Sequence, residues 1–158
     1  WVEKHLKTIR HNYSNAKHFK EINEWLTAIY KTCINEAYLS DINIIFIREI
    51  TSYLGIETKI SSSSNYLLKG DKSDKVIQVC LETGSNEYLS GPTAKVYLDT
   101  DKFEMNGIKV KWMDYSGYKE YRQLFPPFKH EVSIIDLLMN IGKEASRYMK
   151  SFEKCYSL

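Results

Sequence analysis

The chain opens with apolar side chains at Val2, Leu6, Ile9 and Tyr13, separated by steps of four, three and four. At 3.6 residues per turn these positions share one face, so the spacing predicts a helix over residues 1–13. Phe19, Ile22, Leu26, Ile29 and Cys33 repeat the pattern in a second helix. A third helix is expected from Ser40, whose hydroxyl can cap it. Its inward face holds Ile42, Ile45, Phe46, Ile50 and Leu54, and Gly55 stands where a left-handed stop belongs.

The period then shortens to two. Ile56, Thr58 and Ile60 alternate with polar residues as a short strand would, and the four serines 61–64 are too few for a linker. After the turn at Gly70-Asp71-Lys72, Ser73 can cap a fourth helix over residues 74–83, ended by Gly84. A strand is expected at residues 87–89, a sharp turn at Ser90-Gly91-Pro92 and a short helix over 93–99. Phe103 and Met105 alternate before the Asn106-Gly107 turn. Ile108, Val110 and Trp112 then alternate with Lys109 and Lys111 as a half-buried strand running to Met113. That Asn-Gly pair fits either a hairpin or the entry to a parallel strand. Residues 114–130 form an aromatic loop stiffened by Pro126-Pro127. Ser133 opens another helix running through Asn140 and stopped by Gly142, and Ala145, Tyr148, Met149 and Phe152 give a last helical face. Helices alternating with short strands predict an α/β class: one helix-rich layered domain over residues 1–158 with a short, mostly parallel sheet.

Composition narrows the partners more than the fold. Hydrophobic residues make up 43% of the 158 and charged residues 27%, enough for a real core and against extensive disorder. The net charge of +2 gives no specific nucleic-acid signal. No apolar run approaches the ~20 residues a membrane helix needs, so no transmembrane segment is expected. Cys33, Cys80 and Cys155 lie far apart without Cys-x-x-Cys spacing, which reads as free thiols of a reducing, cytoplasmic setting rather than a disulfide framework or zinc site. His5, His11, His18 and His130 form no His-x-x-x-His pair, so no metal site is expected. Trp1 is not an initiator Met, and the chain is expected to start inside a longer protein.

Several separate motifs occur in one order. They are Lys4-His5-Leu6 with residues 9–13, Tyr88-Leu89-Ser90-Gly91-Pro92 with Ala94-Lys95 and Tyr97-Leu98, and Tyr118-x-x-Tyr121-x-Gln123 with Phe128. The run from Ser133 through Ile134, Ile135, Asp136 and Leu137 to Leu138 completes the set. Together they resemble the WbqC-like family over nearly the whole chain. Members typically carry a further N-terminal stretch with Gln-Pro-x-Tyr and Asn-Arg-Asn-like elements. Neither occurs here, so the chain resembles the C-terminal two thirds of the family pattern. The resemblance implies a bacterial surface-polysaccharide (O-antigen-type) setting. It also implies a transferase acting on an activated sugar or sugar-linked intermediate, with aminoacyl or glycine transfer as its concrete form. The alternative is a non-catalytic partner, or a nucleotide-sugar-binding module, of a polysaccharide biosynthesis assembly. No cofactor is named by the sequence.

Two segments are candidates to carry such chemistry. In Ser90-Gly91-Pro92-Thr93-Ala94-Lys95, a strand, tight turn and helix start would present backbone N–H groups to an anion. Gly91 would admit a ligand close to the backbone, Ser90 would add a hydroxyl and Lys95 a charge, together taking the phosphate of a small-molecule or nucleotide-sugar substrate. The plain alternative is an ordinary turn with Pro92 at the first helical position. The second segment is the aromatic loop, where Tyr115, Tyr118, Tyr121 and Gln123 would line a sugar pocket. Asp114, just past the strand, would serve as general base, and His130 would transfer a proton near neutral pH. The plain alternative is a loop packed on the fold or a surface for a protein partner. The Ser133-x-x-Asp136 spacing is that of a helix cap whose acid reaches back, with a catalytic hydroxyl and acid as the other reading.

Overall fold

The computed structural model describes residues 1–155, with side chains through Phe152. Cys155, read from the sequence as a free thiol, lies outside the described side chains. The chain is a helix-rich α/β protein with a two-stranded parallel sheet, and it divides into two compact units. One unit joins Trp1–Thr58 to the chain from Gly117 onward, and the other is Lys59–Ser116. Among the described residues no helix is long and apolar enough to cross a membrane.

The first unit holds helices α1 (Val2–Tyr13), α2 (Phe19–Thr32) and α3 (Leu39–Tyr53), plus α6 (Ile134–Ile141). The predicted apolar faces of α1 and α2 converge as read. Ile22, Leu26 and Cys33 are fully buried in one core with Leu138 and Met139 of α6. Helix α3 starts one residue before the expected cap, with Tyr38 at its N-cap and no side-chain bond there. Ile42, Ile45, Phe46 and Ile50 of its predicted face pack against the core from partly buried positions. Residues 56–60 are not a strand, since the sheet contains no partner for them and a lone strand would leave its backbone groups unpaired. Ser133 caps α6 as expected, its Oγ accepting from the Ile135 N–H at 3.3 Å. Gly142 ends the helix at φ 65°, and the last helical face is wound as 3₁₀ turns over Gly142–Tyr148 and Lys150–Cys155.

The second unit carries α4 (Lys72–Glu82), β1 (Glu87–Ser90), α5 (Thr100–Met105) and β2 (Lys109–Trp112). Its small core joins Ile77, Cys80, Phe103 and Ile108. Helix α4 begins two residues earlier than the serine signal indicated. Asp71 caps it, and Asp71 and Asp74 exchange backbone–side-chain bonds in a reciprocal box. Ser73, the expected cap, is buried and accepts the Asp99 N–H instead. The Phe103/Met105 alternation proves helical, because Asp99 caps α5 by accepting from the Lys102 N–H, and Phe103 is the one that turns fully inward. The segment after Gly91 is a five-residue 3₁₀ turn, Pro92–Val96, rather than a helix reaching Asp99. Strands β1 and β2 are parallel, so the Asn106-Gly107 turn leads into a crossover strand and not a hairpin.

Candidate functional site

Parallel pairing decides where the motifs of the second unit meet. Ser90 stands opposite Trp112 in the register, and the Met113 N–H continues the ladder to the Ser90 carbonyl at 2.8 Å. Residues 90–95 and 113–115 therefore leave the sheet at the same, carboxyl end. All five of the candidates in this unit sit on the resulting rim. Ser90 is buried at its base. Gly91 has an ordinary extended backbone, and a Cβ there would lie 3.5 Å from the Tyr115 hydroxyl. Lys95 holds its ammonium 5.5 Å from the Trp112 ring centroid, a cation–π contact. Tyr115 is 60% exposed. Asp114, the fifth, accepts from both the backbone N–H (2.9 Å) and the hydroxyl (2.7 Å) of Ser116, a turn that fixes its carboxyl group beside Tyr115. A single 3₁₀ turn lacks the aligned peptides of a longer helix, so the helix-dipole contribution expected at Gly91 does not arise. The cationic and N–H groups there are Lys95 and the local backbone N–H groups.

The remaining candidates, Tyr118, Tyr121, Gln123 and His130, belong to the first unit. Tyr118 lies under the Lys150 ammonium, 5.1 Å from its ring centroid. Tyr121 and Gln123 converge on a group that the spacing had assigned to a cap. Asp136 does not reach back to the start of α6. It is buried, with one oxygen accepting from the Tyr13 hydroxyl at 3.0 Å. The other accepts from the Tyr121 hydroxyl at 2.7 Å and from Gln123 Nε2 at 3.1 Å. Burial and the neighbouring Asp136 push the Tyr13 phenol up to about 12. Tyr121 is raised too, first by burial and then by Asp136, against a lowering from Gln123. His130 packs its ring edge-on against Phe128 with centroids 4.7 Å apart.

Tyr13 and Asp136 are the members that the sequence reading missed. A usable signal was present: Asp136 lies between Ile134-Ile135 and Leu137-Leu138, so the apolar helix face carries it inward and it must find donors there. His5 lies beside an apolar cleft of about 450 Å³ that Trp1, Tyr30 and Phe46 also line. Its Nδ1 stands 3.5 Å from the Tyr30 hydroxyl. Among the described residues no three His, Cys, Asp or Glu side chains are grouped closely enough to hold a metal ion.

No solved structure matches the chain significantly. A Mycobacterium tuberculosis protein described as "Uncharacterized protein Rv1507c" is 40% identical over 152 residues, covering 95% of this chain. The chain spans 64% of that relative's length. A family model matches residues 1–148, and it spans every motif named above: the chain belongs to the WbqC-like protein family.

Proposed function

We propose that the second unit holds the donor in a transferase acting on an activated sugar or sugar-linked intermediate of surface-polysaccharide biosynthesis, in its concrete form by aminoacyl transfer. The observation that carries this reading is the parallel register of β1 and β2, which brings Ser90, Gly91 and Lys95 to one rim with Asp114 and Tyr115. Ligands of open α/β sheets bind beyond the carboxyl ends of parallel strands. On this rim Lys95 and the 3₁₀ N–H groups complement a phosphate, Tyr115 offers a ring and a hydroxyl to a sugar, and Asp114 supplies the carboxyl group for proton transfer. In the transfer itself, the acceptor's oxygen or nitrogen attacks the acyl carbonyl carbon. Asp114 takes the acceptor's proton, and the bond to the donor's leaving group breaks. For the first unit the reading retains His130 as a proton-transfer side chain, with Tyr118, Tyr121 and Gln123 earlier in the same loop.

The test is a thermal-shift screen against nucleotides, nucleotide-sugars and aminoacyl donors, with Lys95→Ala in parallel. Ligand at 100 times its dissociation constant adds about 2.7 kcal/mol. A shift with one ligand class that Lys95→Ala abolishes supports the reading, and a shift unchanged in the variant contradicts it.

A second reading, a non-catalytic partner of a transferase, is favoured by Phe125, which is 69% exposed in the aromatic loop. Large aromatic side chains enrich interface cores. Co-purification with a transferase that Tyr118→Ala abolishes would support it.

A further inference from the structure

Residues 123–129 are tied into a closed segment by one side chain. Gln123 bonds both backbone groups of Lys129: its Nε2 donates to the carbonyl at 2.8 Å, and its Oε1 accepts from the N–H at 2.9 Å. The same Nε2 donates to Asp136. Tyr121, held by the same carboxyl oxygen, meets Phe128 edge-to-face with centroids 5.2 Å apart. Phe128 in turn meets the ring of His130 at an interplanar angle of 84°. The His130 ring packs on Phe128, and its backbone is set by Lys129 before it and by the Val132 N–H, which donates to the His130 carbonyl at 2.8 Å. Of these, Lys129 and Phe128 are tied to Asp136, the first through Gln123 and the second through Tyr121.

We propose that Asp136 is a positioning residue for His130, acting through Gln123 and Tyr121, which hold the loop. This rests on the reading of His130 as the proton-transfer group. The physical argument is that a buried carboxyl group with three donors has few ways to move. A loop pinned to it at Tyr121 and Gln123, and closed at Lys129, therefore presents the next residue in a fixed orientation.

The experiment is imidazole NMR of the chain, with the His130 signals assigned by their loss in His130→Asn. In the parent chain those signals carry the displacement that the Phe128 ring current imposes. Gln123→Ala and Asp136→Asn are expected to abolish that displacement while the signals of His5 and His11 stay in place. Tyr13→Phe, which touches only the other carboxyl oxygen, is expected to leave His130 unmoved. Unchanged His130 signals in Gln123→Ala would overturn the proposal, as would equal displacement of all the histidines. Tyr121→Phe keeps the ring on Phe128 and loses its bond to Asp136, so unchanged His130 signals in that variant would overturn the proposal even if Asp136→Asn does not fold. No ligand or turnover enters this measurement, so its failure is distinct from failure of the transferase reading.

Discussion

The Tyr121 hydroxyl donates to Asp136 at 2.7 Å, and that bond joins the aromatic loop to the first turn of α6. With Tyr13 on the other oxygen, three distant segments of the chain meet at one buried carboxyl group. Removing the acceptor leaves two half-buried phenol groups and an amide short of a partner. Asp136→Ala is expected to lower the unfolding free energy by about 3 kcal/mol in urea titration, because orphaned polar groups cost ~1–3 kcal/mol each and some regain water. Asp136→Asn keeps one acceptor oxygen and should lose less.

Core packing gives a cleaner contrast. Leu138 is fully buried where α6 meets α2, whereas Leu67 is 88% exposed. Leu138→Ala should cost about 2–5 kcal/mol through lost burial and the cavity it leaves. Leu67→Ala should stay within about 0.5 kcal/mol. Denaturant midpoints of the two variants test the placement of the core directly.

Gly142 and Gly55 both have positive φ, but their surroundings differ. A Cβ at Gly142 would meet the His18 ring at 2.5 Å, while none of the surrounding atoms lies within 4 Å of one at Gly55. Gly55→Ala should cost about 1 kcal/mol from backbone strain alone. Gly142→Ala should cost clearly more, since His18 must swing aside. Comparison of their melting temperatures checks the difference.

Lys102 donates to Asp71 and Asp74, at 2.8 Å each, and so ties α5 to the cap of α4. Its ammonium is the leading cause that holds both carboxyl groups below the usual carboxylate range. A depressed folded-state pKa stabilises the fold above the unfolded value of 3.8 and loses that contribution as pH falls through the folded value. Stability of the second unit should therefore be full at neutral pH and decline below about pH 4. Lys102→Met should flatten that acid limb, and the partly exposed bridges should weaken in high salt. Unfolding followed against pH and ionic strength measures both effects.

Periodicity located α1 and α2 because their apolar faces pack into the core, and the Ser133 cap and Gly142 stop located α6. It failed where a short element depends on a partner far away in sequence. Residues 56–60 alternate like a strand but have no neighbour to pair with. Phe103 and Met105 alternate too, yet the Asp99 cap winds them into α5. The rim of the second unit was legible as two separate motifs, Ser90-Gly91 and Asp114-Tyr115, but the parallel register that joins them was left open between hairpin and crossover. Asp136 was misread because cap spacing and inward placement use the same positions. Only the four flanking apolar residues separate the two readings.

The most direct test of the rim as a donor site is residue-resolved. The ¹⁵N-labelled chain would be titrated with nucleotide-sugars while its backbone amides are followed by NMR. The account predicts saturable shifts concentrated at residues 90–95 and 114–116, and lost in Lys95→Ala. Saturable binding that moves amides elsewhere and leaves those two segments still, or no movement with any nucleotide-sugar, would contradict it.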